Sequence, residues 1–279
     1  MGNASPSAAA ADATPAAVEP ELTLVIPAHN EASRLPGTLD ALAEFLDRWG
    51  VDFRVLVVDD GSTDTTARLT AGRGPRFSTH SLPQNRGKGA AVRAGMLLAH
   101  SRLVAFMDAD LPYALDCLRQ GYALLQTGGP DVVLGARNMP DSGVHVRRPW
   151  LRRVATVVFR ALTHRLISSQ VSDTQTGFKM FRYSASQQTF SRTTLDGFAF
   201  DVEVIFLMHR LGLTFAQVPV DMINDKASTL SLRRHALPML LDVFRVYLRA
   251  HLGWYDRQVP TAAAAATAPK QASSKAGSG

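Results

Sequence analysis

A chain of 279 residues, 46% apolar and 19% charged, carries enough apolar material for a sizeable core, which excludes a wholly disordered or fibrous class. Its single cysteine, Cys117, excludes an internal disulfide framework and a cysteine-rich zinc site. The net charge of +6 is concentrated, because six arginines and no acidic residue stand between Ser142 and Ser172, and a local basic field of that kind suits an anionic partner.

In chain order, residues 1–20 are rich in Ala, Pro and Ser and are expected to be a disordered tail. No secretory leader is expected, and Pro6 breaks the myristoylation pattern. LTLVIPA (22–28) reads as an apolar strand stopped by Pro27. Leu35, Leu39, Leu42, Leu46 and Trp49 then recur at helical spacing. FRVLVVDD (53–60) is a second strand, with a helix expected from about Asp64. A helix over 88–100, a strand over 103–108, a helix over 114–127 and a strand over 131–136 come next. Residues 150–167 are expected to form an amphipathic helix with Leu151, Val154, Val158 and Leu162 on one face and Arg153 and Arg160 opposite. Beyond DTQTGFKMF (173–181) come a helix at 200–211, a strand at 213–220 and a last helix at 230–252. That last helix is apolar around most of its circumference, so core, membrane interface and partner protein are all open as its cover. Residues 258–279 read as a second tail. No stretch reaches about 18 uninterrupted apolar residues, so no membrane span is expected.

Strands that are apolar throughout and alternate with helices predict an α/β fold, a mainly parallel Rossmann-like sheet with helices on both faces and a C-terminal amphipathic helix. Ligands of such sheets bind beyond the carboxyl ends of the strands, where PAHNE, DDGSTD, DAD and GARN converge.

Each tip has a plain structural use and a chemical one. In DDGSTD, Gly61 permits a turn and Ser62 or Asp64 can cap the next helix, which leaves Asp59 free to accept from a ribose or base. Glu31 is placed to do the same, and Asp60 is counted with these candidate nucleotide contacts. NRGKGAAVRAG (85–95) lacks the spacing of an ATPase phosphate loop; Arg86 or Lys88 instead supplies charge near a ligand. Asp108 and Asp110, one residue apart at the end of an apolar strand, repel each other unless protonated, paired or bound to a cation. Mg2+ or Mn2+ held with ligand phosphates meets that need, and such an ion neutralises a leaving diphosphate.

VIPAHNE, VVDDGSTDTT, NRGKGAAVRAG, FMDADL, GARN and DTQTGFKMF, in that order, resemble glycosyltransferase family 2, with the nearer likeness to its dolichyl-phosphate (polyprenyl-phosphate) glucose and mannose synthases. The likeness runs from about residue 22 to 230. It implies the GT-A fold, a nucleotide-sugar donor (UDP-glucose first, GDP-mannose or a UDP-N-acetylhexosamine as alternatives), a divalent metal and inversion at the sugar carbon. It further implies one domain over 21–257, with a nucleotide-sugar half (21–140) and an acceptor-facing half (141–257). On this resemblance Pro27, His29, Glu31 and Asp59 line the nucleoside pocket and Ala109 sits against it. Asp108 and Asp110 bind metal and diphosphate, and Arg137 meets a donor or acceptor phosphate. His29 stands where many relatives have tyrosine, and Pro112 where some have a metal-site glutamine.

A polyprenyl phosphate is already anionic and needs no strong base, only positioning and charge stabilisation. Arg147, Arg148, Arg152 and Arg153 are the expected source of that charge and of contact with a membrane surface. A neutral hydroxyl acceptor, as in a polysaccharide or secondary metabolite, would need a base, for which Asp201 or Glu203 are the candidates. A peripheral location on the cytoplasmic membrane face, with an integral membrane partner as an option, completes the expectation. Nucleic acid is not expected, because aromatic residues are not interleaved with the arginines.

Overall fold

The computed structural model describes residues 19–137, 176–223 and 232–255, with side chains of the last segment from 241 onward. The expected helix at 150–167, Arg147, Arg148, Arg152 and Arg153, and both tails beyond 19 and 255 lie outside the described residues.

Seven strands of the described residues form one sheet: β1 (Leu22–Ala28), β2 (Phe53–Asp59), β3 (Phe77–Ser81), β4 (Leu103–Phe106), β5 (Val132–Ala136), β6 (Lys179–Arg182) and β7 (Phe215–Pro219). Their order is β3-β2-β1-β4-β6-β5-β7, and every pairing is parallel except those that β6 makes with β4 and β5. Six helices are described: α1 (Leu35–Trp49), α2 (Lys88–Leu98), α3 (Asp116–Gln126), α4 (Tyr183–Phe190), α5 (Phe200–Arg210) and α6 (Leu232–His251).

The strands read as unbroken apolar runs because both faces are covered. On β4, Leu103 and Ala105 enter the core beneath α1 and α3, whereas Val104 and Phe106 enter the core with α2, α4 and α5. The expected helix after Asp64 is only a 3-10 turn, Thr66–Arg68, and the unexpected strand β3 comes after it. Thr65 and Thr66, with Gly72 and Gly74 soon after, lack the helical propensity and the apolar stripe a longer helix needs.

β1 does not stop at Pro27 but runs to Ala28. In a parallel ladder alternate residues face alternate neighbours, and the Val25 carbonyl accepts from Met107 N–H on the β4 side. Pro27 therefore turns its missing N–H toward β4, just past Val25–Phe106, the last paired residues of those two strands. The β1–β4 boundary opens there. It is also where chain order reverses direction across the sheet, the place at which an open α/β sheet forms a ligand crevice.

Candidate active site

The loops after β1 and β2 are laced together at the crevice mouth. Asn30, in the left-handed region at φ 55°, donates its N–H to the Ser62 hydroxyl and accepts the Thr63 N–H at its side-chain oxygen, 2.9 Å away. Asp64 accepts from Thr66 N–H and Ala32 N–H, and the Thr66 hydroxyl above all holds its carboxyl below the usual range. His29 donates from Nδ1 to the Asp60 carbonyl at 2.8 Å, the tautomer that lets Nε2 accept from the Asn30 amide.

The two aspartates at the β2 tip have different jobs. Asp60 is buried, and its carboxylate accepts Arg86 N–H at 2.8 Å and Gly87 N–H at 2.7 Å. It therefore seats the loop into α2, a positioning role instead of the nucleotide contact expected of it. Asp59, also buried, accepts Ser62 N–H with one oxygen at the tip of β2. Glu31 is gripped by the Arg34 guanidinium, which meets both its oxygens at 2.7 Å. Ala109 is packed into the α1 side of the core, its carbonyl tied to the Thr38 hydroxyl.

The RGKG loop is built for close approach. Gly87 sits at φ 112°, and a Cβ there would fall 2.5 Å from the Asp196 carbonyl oxygen, so only glycine fits. Asp196 also pairs with Arg86 and Arg93, which removes Arg86 from the ligand-facing charges. The loop thereby delivers Lys88 alone: its Nζ lies 2.5 Å from Asp108 Oδ1. Burial works against the ammonium, but Asp108 and then Asp201 outweigh it and hold Lys88 above the ordinary lysine range.

Asp108 is also braced by TGFK. Gly177 lies so close that a Cβ would come within 2.5 Å of Asp108 Cγ. Asp110, on the other side of Ala109, is exposed, and Leu111 beyond it holds a left-handed φ of 41°, a strained conformation for a branched side chain. Partial burial, and next the charge of Asp108, push the Asp110 carboxyl up. A divalent cation would relieve that repulsion, and two hard carboxylate oxygens fit Mg2+ or Mn2+. Among the described residues no three acidic, His or Cys side chains gather as a metal-binding group.

Neither candidate base is free for that work. Asp201 is buried and pairs with Lys179 Nζ at 2.5 Å; burial raises its carboxyl, with Lys179 and then Lys88 pulling the other way. Glu203 is fully buried and accepts from Thr194 N–H, Leu195 N–H, the Thr194 hydroxyl and the Tyr255 hydroxyl, each at 2.7–2.8 Å. It anchors the end of α6 to α5. Arg137 lies just beyond β5 at the same sheet edge, partly buried. Lys179, Gly177, Asp196 and Arg34 acquire roles here that the sequence does not suggest. The one signal for Gly177 and Lys179 is their place in DTQTGFKMF.

The pattern of glycosyl transferase family 2 matches residues 23–190. A dolichyl-phosphate beta-glucosyltransferase of Drosophila melanogaster is 30% identical over 84% of this chain and 76% of its own length. One from Dictyostelium discoideum is 29% identical over 83% and 75%. The glucosyl-3-phosphoglycerate synthase of Mycobacterium tuberculosis, solved with uridine diphosphate, superposes with a TM-score of 0.58 at 23% identity, covering 80% of each chain. A further crystal of that enzyme holds Mn2+ and UDP-glucose. The mannosyl-3-phosphoglycerate synthase of Rubrobacter xylanophilus superposes at 0.61 with 21% identity, over 83% of this chain and 75% of its own. With the family pattern spanning more than half its length and the GT-A architecture matched, this chain belongs to glycosyl transferase family 2 and is a glycosyltransferase.

Proposed function

We propose that the protein transfers glucose from UDP-glucose to a polyprenyl or dolichyl phosphate, with inversion at the sugar carbon. The observation that carries this reading is the meeting of Asp108, Asp110 and Lys88 where β1 and β4 part. Carboxylates suited to a cation and an ammonium at the crevice where such sheets take ligands support a donor diphosphate there. The activities for which these relatives are named support the glucose and the lipid phosphate. The related crystal with UDP-glucose and Mn2+ supports the donor and the ion.

Asp59 and the His29 loop hold the nucleoside, and Asp110 with Asp108 holds the cation, which when bound supplies charge neutralisation to the departing diphosphate. Lys88 adds a fixed positive charge on the same side, and Arg137 meets a phosphate of donor or acceptor. The acceptor phosphate arrives anionic, so a single in-line displacement needs no proton removed. This agrees with the engagement of Asp201 and Glu203 in buried pairs. One displacement on an α-linked nucleotide sugar gives a β-linked product. In this reading residues 21–257 act as one catalytic unit, with the donor held by the first half.

The lipid acceptor also accounts for α6. Val243 and Val246 are buried, whereas Leu241, Phe244, Leu248 and Leu252 form an exposed apolar stripe bordered by Arg245 and His251. Its Arg245 pairs with Asp242 at 2.8 Å, and an exposed apolar stripe of that width suits insertion into a bilayer surface. Among the described residues no helix is long and apolar enough to cross a membrane.

The test is radiolabelled transfer from UDP-glucose to polyprenyl phosphate in anionic vesicles with Mg2+ or Mn2+. An extractable, mild-acid-labile glycolipid is expected. Transfer only to water-soluble acceptors, or only from GDP-mannose or a UDP-N-acetylhexosamine, would replace this assignment with the corresponding one. Co-sedimentation with the vesicles should fall at least severalfold in a Phe244→Glu, Leu248→Glu variant. Unchanged binding would remove α6 from the membrane contact.

A further inference from the structure

Beneath the Lys88–Asp108 pair lies a second ion pair. Lys179 and Asp201 touch at 2.5 Å with side chains 1% and 6% exposed. A buried pair of this kind seldom adds stability over apolar side chains of equal volume, because desolvation of both charges offsets their attraction. Its setting is apolar too, with Lys179 Nζ 5.3 Å from the centre of the Phe106 ring. Stability alone is therefore a poor reason for these two side chains to be here.

Their other contacts lead to the site. Lys179 Nζ donates to the Thr176 carbonyl at 2.9 Å, which fixes the turn whose next residue, Gly177, is packed against the Asp108 carboxylate. Asp201 stands next to Phe200 at the start of α5, and Lys88 Nζ lies 6.0 Å from the centre of the Phe200 ring. The same Phe200 is within 2.7 Å of where a Cβ on Gly89 would be, so α5 packs directly on the loop that presents Lys88. Asp201 also favours the Lys88 charge, in the same sense as Asp108 does.

We propose that Lys179 and Asp201 are a positioning pair that holds Lys88 and Asp108 in place for the donor diphosphate. The proposal rests on Lys88 as the cation facing that diphosphate. The pair touches no substrate; Asp201 starts the helix whose Phe200 packs against the Lys88 loop, and Lys179 locks both Asp201 and the turn that braces Asp108. Charge on the leaving diphosphate develops in the transition state, so loosening Lys88 lowers kcat more than it raises donor KM.

Two experiments decide it. A paired apolar replacement, Lys179→Met with Asp201→Leu, should fold with a Tm at or above that of the native protein. Its kcat should be about 10- to 100-fold lower, as loss of positioning costs, with donor KM within about threefold. A folded double variant with native kcat would show the pair to be only structural. Should that variant not fold, a cycle of Asp201→Asn and Lys88→Met decides the question. Asp201→Asn should cost at least about tenfold in kcat on the native background and less than about twofold on Lys88→Met. Losses that multiply in full would overturn action through Lys88. UDP-glucose hydrolysis in the absence of acceptor serves as the readout, so failure here is distinguishable from a wrong acceptor.

Discussion

Gly177→Ala tests whether TGFK braces the acidic pair. The added Cβ would lie within 2.5 Å of Asp108 Cγ and 3.0 Å from Oδ1. Carbon atoms rest about 3.5–4.0 Å apart, so the carboxylate must retreat by roughly 1 Å or more. It has little room to do so, since Lys88 holds its Oδ1 and the Leu111 N–H holds its backbone carbonyl at 3.1 Å. Overpacking of this kind costs about 1–3 kcal/mol. For a domain of this size that is a Tm lower by roughly 2–12 °C. A displacement of about 1 Å at a reacting centre costs on the order of 100-fold in rate. Thermal melts by circular dichroism and initial rates of transfer from UDP-glucose measure the two effects. A Gly177→Ala protein with native kcat and native Tm would show that the turn does not press on Asp108.

Asp110→Asn should abolish metal-dependent turnover while raising the Tm of the metal-free protein near neutral pH. The native carboxyl is raised by burial and by Asp108, so its ionisation costs stability as pH climbs from the unfolded value through the folded one. A variant with intact turnover, or with a lower metal-free Tm, would contradict this. His209 is lowered by burial from its ordinary value of 6.5, with a buried Nε2 that has no partner and a ring 5.5 Å from Phe215. The unfolded chain thus binds the proton first, and stability is lost as pH falls through 6.5 toward the lower folded value. Urea melts should show a shallower acid limb in His209→Phe, and an unchanged limb would place the titration elsewhere. Burial pushes the Cys117 thiol up to about 12, so an aromatic disulfide reagent at about pH 8 should react only after unfolding. Rapid labelling of the native protein would contradict the packing of α3 on the sheet.

The central strands are legible because burial on both faces leaves an apolar signature that needs no tertiary knowledge, as in β1, β2 and β4. β3 is not, because FSTHS lies at a sheet edge and buries only Phe77. β6 is hidden by its lysine. KMFR goes unassigned until Lys179 is seen to find Asp201 inside the core. The acidic residues show the same limit. Asp59 and Asp60 are adjacent in sequence, and only the fold reveals that Asp60 turns to the amides of Arg86 and Gly87 while Asp59 accepts the Ser62 N–H. Asp201 and Glu203 look like alternative candidate bases at a helix start, yet each is claimed by partners that only tertiary packing brings near. DAD is found at its expected place, because two charges ending an apolar run must face either solvent or a ligand crevice, and a strand tip offers both.

The most direct test is diffraction from crystals grown with UDP and Mn2+, read at the manganese absorption edge. An anomalous peak bridging the Asp110 carboxylate and the diphosphate, with the uracil beside Asp59 and Lys88 Nζ near a phosphate oxygen, is expected. A nucleotide bound away from the β1–β4 crevice, or a manganese peak touching neither Asp108 nor Asp110, would contradict the assignment.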